Sequence, residues 1–169
     1  MKIMKLNSNL KNEIANYPYL ILTDRQLCDI ELIINGGFSP IKGFLNENDY
    51  YSVLNDMRLN DGSVWPIPIT LDVKESFLEK IKNFSKIILK DKEGFVLAIM
   101  DIESSWKPNK ANEAEKVFGT TDEKHPAVHY LFNIVEDYYV GGKIHAIALP
   151  KHYDFPVLRQ SPEEVKAEF

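Results

Sequence analysis

The sequence predicts an α+β domain built on a small barrel-like sheet, and three observations carry that prediction. Short strand candidates are interrupted by short helices, without the regular strand–helix alternation of a Rossmann layout. Two glycine-bearing junctions, Asp91-Lys-Glu-Gly94 and Gly141-Gly142, read as hairpin turns, which favour antiparallel pairing. The chain has 169 residues, 44% hydrophobic and 27% charged. A domain of that size buries about 68–70% of its unfolded surface and needs no staples to fold. There is no repeat, no low-complexity tract and no internal linker.

The elements follow in order. Leu6, Leu10 and Ile14 stand at helical spacing before Tyr17-Pro18 and read as a short amphipathic helix. Thr23 and Gln26 form a capping box for a second helix, with Leu27, Ile30, Ile33 and Ile34 on its apolar face and Gly36-Gly37 at its end. A third helix starts near Asn46 and carries Tyr50, Val53, Leu54 and Met57. Asn60-Asp-Gly62 is a turn, and Trp65–Val73 is an edge strand or one with an irregular start, because Pro66 and Pro68 cannot donate to a ladder. Lys86–Lys90 and Phe95–Ile102 form a hairpin. Asn109–Phe118, closed by Gly119, and a segment opened by His125-Pro126 are helices. Val135–Val140 and Lys143–Leu149 pair across Gly141-Gly142. Ser161-Pro-Glu-Glu164 is a capping box that opens a final helix.

Composition excludes several function classes. The net charge is −5 and the only arginines are Arg25, Arg58 and Arg159, so no basic stripe for nucleic acid is present. No apolar run approaches the roughly 20 residues that span a bilayer. Polar Asn7-Ser-Asn9 interrupts any signal-peptide core, so a cytoplasmic protein is expected. The one cysteine, Cys28, fits a reducing compartment and reads as a small buried side chain.

No chemical motif is complete. Gly36-Gly37 and Lys42-Gly43 follow a helix, whereas a phosphate loop precedes one, so they read as a helix stop running into a bend that tucks Phe38 and Phe44 inward. His125 and His129 have the spacing of a metal pair but no third ligand, and read as helix-start and helix-face residues. His145 reads as a half-exposed strand residue. His152 reads as a loop residue held by Asp154, with no nucleophile signature nearby. Asp72, Asp101 and Glu103 fall at strand ends without a spacing that pairs them.

A collinear set of segments nevertheless resembles one family. Leu22-Thr-Asp-Arg-Gln-Leu-Cys-Asp29, Asn35-Gly-Gly-Phe-Ser-Pro-Ile-Lys-Gly-Phe44, Met57-Arg-Leu59 and Trp65–Val73 come first. Lys107-Pro-Asn-Lys110, Val117-Phe-Gly-Thr120, His125-Pro126, Gly141-Gly142, Leu158-Arg159 and Ser161-Pro162 follow. Together they are similar to the amino-terminal domain of ATP sulfurylases (sulfate adenylyltransferases), along almost the whole chain.

The resemblance implies a PUA-like pseudobarrel of short, mostly antiparallel strands with peripheral short helices. It implies a domain over residues 1–160, with 161–169 starting a helix that connects to a missing catalytic domain. In the complete enzyme a sulfate oxygen attacks the α-phosphorus of ATP, giving adenosine 5′-phosphosulfate and magnesium-bound pyrophosphate. The family carries that chemistry on Gln-x-Arg-Asn-Pro, His-x-x-His and Gly-Arg-Asp motifs, and none occurs in this sequence. The chain alone is therefore expected to be inactive, with no catalytic, cofactor or metal residues. Arg58, Trp65, His152, Asp154 and Arg159 match positions that hold the domain together or touch the next one. An apolar patch is expected near Tyr153, Phe155 and Val157. The expected partner is the catalytic domain, with possible homo-oligomers in the full-length protein and no nucleic acid or membrane. A stand-alone RNA-binding module is the alternative, by fold analogy only.

Overall fold

In the computed structural model, Thr23 caps the first well-defined helix as its spacing predicts. Its hydroxyl accepts from the Gln26 amide, and the Gln26 side chain accepts from the Thr23 amide at 3.0 Å. The structure describes all residues except 1–2, 5–9, 11, 13 and 156–157. Leu6 lies outside the described residues, while Leu10, Ile14 and Tyr17 pack on an apolar cluster of Ile88, Ile99 and Ile147.

Two compact units share the chain. The first comprises Met1–Gly43, Phe84–Asp101 and Lys143–Phe169, and the second Phe44–Asn83 and Ile102–Gly142. In the first unit, strand β1 (Tyr19–Ile21) pairs parallel with β4 (Lys86–Lys90), which pairs antiparallel with β5 (Val96–Asp101). β5 in turn pairs antiparallel with the end of β7 (Tyr138–Ala146), matching Met100 to Ile144 and Ala98 to Ala146. Ile87, Ile88 and Leu89 are all buried, so both faces of β4 are covered and the strand reads as a continuous apolar run. The β4–β5 turn forms as predicted. Asp91 Oδ1 accepts from the Glu93 and Phe95 amides, and Gly94 takes a positive φ of 89°. Helix α1 (Asp24–Asn35) buries Ile30, Ile33 and Ile34 and stops at left-handed Gly36. Helix α6 (Pro162–Glu168) carries its Ser161–Glu164 capping box and buries no side chain.

In the second unit, β3 (Leu71–Val73) and β6 (Ser104–Trp106) both pair antiparallel with the first part of β7. The Pro66–Pro68 approach to β3 stays outside the ladder, as the missing amide donors require. Helices α2 (Glu47–Asp56), α3 (Glu75–Ile81), α4 (Lys110–Phe118) and α5 (Pro126–Asn133) complete this unit. Asn46 and Asn109 cap α2 and α4, and Ala114, Val128 and Leu131 pack α4 on α5. The two-residue strand β2 (Gly43–Phe44) neighbours β7.

The α+β, PUA-like fold class stands, and several local expectations are corrected. No hairpin forms at Gly141-Gly142, because β7 runs straight through both glycines and neither has a positive φ. Gly141 is needed for another reason: a Cβ there would meet the Leu45 carbonyl oxygen at 2.0 Å. Met57 is the left-handed C-cap of α2 and is 59% exposed, so it lies off the apolar face. Cys28 is exposed, because it sits about 200° around the helix from both buried Gln26 and Ile30. Phe44 is buried, whereas Phe38 is only half-buried. Helix α3 escaped prediction because its N-cap, Lys74, makes no capping bond and only Ile81 is buried. The three-residue strands β1 and β6 are set by partners distant in sequence.

Candidate functional site

The histidines and strand-end carboxylates singled out in the sequence have structural partners. His125 begins α5 and stacks on Phe118 with ring centroids 5.4 Å apart. His129 Nδ1 lies 3.3 Å from Asn133 and 3.9 Å from Glu123. His145 Nε2 meets Asp101 Oδ2 at 2.7 Å. Asp72 accepts from the Glu136 amide, and Glu103 accepts from Asn46. Among the described residues no group of three His, Cys, Asp or Glu side chains is placed to hold a metal ion.

A buried polar cluster anchors the second unit. Glu113 accepts hydrogen bonds from Tyr50 Oη at 2.8 Å and Tyr139 Oη at 3.0 Å. The rings of Tyr50, Trp106 and Tyr139 pack on one another at centroid separations of 5.4–5.7 Å. Burial, then the Glu113 charge and its hydrogen bond, push the Tyr50 phenol well above its ordinary range. The cluster specifies packing, since an acceptor shared by two phenols has one low-energy arrangement. Sequence reasoning missed it, because the three residues come from α2, α4 and β7.

Arg58 and Trp65 sit on one arm of the same unit. Arg58 Nη1 donates to the Gly62 carbonyl at 2.9 Å, bracing the predicted Asn60–Gly62 turn. The Leu59 amide bonds the Ser63 carbonyl, and the Trp65 amide bonds the Met57 carbonyl. The arm leaves Met57, Val64 and Ile67 exposed.

His152, Asp154 and Arg159 belong to the first unit. His152 is not paired with Asp154: its Nε2 lies 2.8 and 2.9 Å from the two carboxylate oxygens of Glu31 on α1. Asp154 turns instead to Arg159, whose Nη2 donates to Oδ1 at 2.8 Å and whose Nε donates to the Asp154 carbonyl. The Arg159 hydrogen bond holds the Asp154 carboxyl below its usual pKa. Tyr153 donates to Glu93 at 2.9 Å, and that bond raises its phenol pKa. The segment is thus tied to α1 and to the β4–β5 turn, while Tyr153, Phe155 and Leu158 are 74%, 71% and 77% exposed. Val157 lies outside the described residues.

The chain matches a family model described as a PUA-like domain over residues 3–149. It is similar to the sulfate adenylyltransferase of Saccharomyces cerevisiae, 57% identical over 148 residues, covering 88% of this chain and 29% of that protein. The sulfate adenylyltransferase of Schizosaccharomyces pombe is 46% identical over 166 residues, covering 97% of this chain and 34% of that protein. A solved structure titled hexameric APS kinase from Thiobacillus denitrificans superposes with a TM-score of 0.73 at 30% identity, over 95% of this chain and 27% of that one. The chain therefore spans about a third of the length of the relatives it matches. The helices of the described residues include none long and apolar enough to cross a membrane.

Proposed function

Since the chain belongs to the PUA-like domain family, in the form found in sulfate adenylyltransferases, we propose that it serves as a non-catalytic module that docks a catalytic domain. The single observation behind this reading is the share of each relative covered, 29% and 34%, at 57% and 46% identity. The other part of such a protein would bind ATP, magnesium and sulfate and form adenosine 5′-phosphosulfate. Adenylyl transfer needs cationic donors free to surround phosphates. Here all three guanidinium groups have protein partners: Arg25 with Asp29, Arg58 with the Gly62 carbonyl and Arg159 with Asp154. The docking surface in this proposal is Tyr153, Phe155 and Leu158, just beyond the family match that ends at residue 149. The exposed thiol of Cys28 suits a cytoplasmic protein, and the hexameric neighbour suits homo-oligomers of the complete enzyme.

An RNA-binding role for the PUA-like fold is disfavoured by the net charge of −5, since phosphate backbones are held by clustered cations.

The test has two arms. Pyrophosphate release from ATP, magnesium and molybdate is expected to stay at background with the chain alone. The chain is then exchanged for the matching segment of the Saccharomyces cerevisiae relative, and the hybrid is expected to be active. Tyr153→Ser with Phe155→Ser should lower that activity and loosen the hybrid to proteolysis. Activity from the chain alone, or a folded hybrid without activity, would overturn the proposal.

A further inference from the structure

A cleft of about 350 Å³ opens in the first unit between the end of α1, the bend after it and the end of β7. Its walls are apolar: Ile33, Ile41 and Ile144 are buried there, and Met4 and Pro40 line it too. Among the described residues its charged lining residues are Lys42 and Lys143, with His145 beside them, and none of the described lining residues is a carboxylate. That is unusual in a chain carrying 25 acidic residues.

The two lysines are also chemically uncommitted. Lys74, Lys82, Lys86, Lys92 and Lys110 each lie within 4 Å of a carboxylate. Neither Lys42 nor Lys143 has such a partner among the described residues, and both are exposed. Their backbones are held side by side, because the Ile144 amide donates to the Lys42 carbonyl at 3.0 Å. His145 is held by Asp101 through Nε2, so its ring cannot swing across the opening without breaking that 2.7 Å contact. Ser39, on the intervening bend, adds a hydroxyl to the lining.

We propose that this cleft binds a small organic anion, its apolar body seated on Ile33, Ile41 and Ile144 and its carboxylate or other oxyanion between Lys42 and Lys143. The volume falls at the lower end of small-ligand pockets, so a ring with a short acidic arm fits better than a nucleotide. Apolar walls with a few convergent polar groups are the usual composition of such sites. The lysines select the charge, and the isoleucines reject bare inorganic anions, which gain nothing from an apolar wall. The inference is independent of the docking role, because no residue of the cleft is among Tyr153, Phe155 and Leu158.

The experiment is an amide-resolved NMR titration of the chain with 3-phenylpropionate, its neutral analogue 3-phenylpropanol, and inorganic sulfate. The acid is expected to shift Ile41, Lys42, Ile144 and His145 saturably. The alcohol should bind several-fold more weakly, and sulfate should leave these amides unchanged. Lys42→Gln with Lys143→Gln should weaken the acid about tenfold, as expected for two partly solvated ion pairs. Ile41→Ser should weaken acid and alcohol alike, and Lys92→Gln, which is not a lining residue of the cleft, should weaken neither. Shifts confined to other residues, equal affinity for acid and alcohol, or undiminished binding by a folded double variant would each overturn the proposal.

Discussion

Replacing Gly141 by alanine separates two readings of the Gly141-Gly142 pair. In β7 the new Cβ would stand 2.0 Å from the Leu45 carbonyl oxygen, 2.5 Å from Asn46 Cα and 2.6 Å from Leu45 carbonyl carbon. All three atoms are backbone, so no side-chain rotation relieves the overlap. Either β7 or the Leu45–Asn46 segment must move, and that segment holds the Leu45–Ile69 backbone bond and the Asn46 cap of α2. The cost should therefore lie at or above the upper end for overpacking, about 3 kcal/mol. Gly36→Ala is the control. Gly36 has φ 86° with nothing within 4 Å, so alanine there meets only the left-handed backbone penalty of roughly 1–2 kcal/mol. Gly141→Asn sharpens the contrast, because asparagine tolerates a left-handed turn position but offers nothing in a crowded strand. Urea unfolding followed by Trp fluorescence and far-UV circular dichroism measures all three. The expected order of loss is Gly141→Asn at least equal to Gly141→Ala, with both above Gly36→Ala. A Gly141→Ala variant within about 1 kcal/mol of the parent would refute the close-approach argument, and a well-tolerated Gly141→Asn would restore the hairpin.

Three further outcomes are expected. Glu113→Ala strands the Tyr50 and Tyr139 hydroxyls in an aromatic core and should cost about 3 kcal/mol in urea unfolding, with Glu113→Gln milder because it keeps an acceptor. Tyr50 has a raised native pKa, so above its ordinary value of 10.0 the unfolded chain loses this proton while the folded chain keeps it. The contribution of Tyr50 to stability should therefore be complete below about pH 10 and fall above it by about 1.4 kcal/mol per pH unit, and Tyr50→Phe should lower the alkaline slope by that amount. The His152–Glu31 pair should show a coupling of about 0.5–1 kcal/mol in a double-mutant cycle of His152→Gln and Glu31→Gln, and either variant should speed proteolysis near Tyr153.

Signals that act between neighbours in sequence were legible in advance. Thr23 with Gln26, Asn109 with Asn112, and Ser161 with Glu164 are bonded three residues apart, so spacing alone discloses the helix starts. Asp91 and Gly94 announce the β4–β5 turn in the same way. What escaped depends on distant partners. Gly141 is small because Leu45 passes beside it, and His152 meets Glu31 across a separation of 121 residues. The Tyr50–Glu113–Tyr139 cluster likewise joins three separate elements, so no local spacing could reveal it.

The segments that make the family resemblance so specific answer in large part to backbone requirements of the fold. In Asn35–Phe44, the Asn35 side chain accepts from the Gly37 amide at 2.9 Å, Gly36 supplies the left-handed turn, and Phe44 ends in the core. A Cβ on Gly37 would meet Leu32 Cδ2 at 2.9 Å, the tip of an exposed side chain that can rotate away. In Met57–Leu59, Met57 caps α2 in the left-handed region and Arg58 braces the following turn. Asn35, Gly36, Met57 and Arg58 thus meet backbone requirements of the fold, whereas a catalytic motif would place donors toward a vacant reaction volume. Two chains can therefore share these segments because they share a scaffold. The functional assignment depends on the identity and partial coverage of the relatives together with the engaged arginines, and the motif glycines and prolines alone could not supply it.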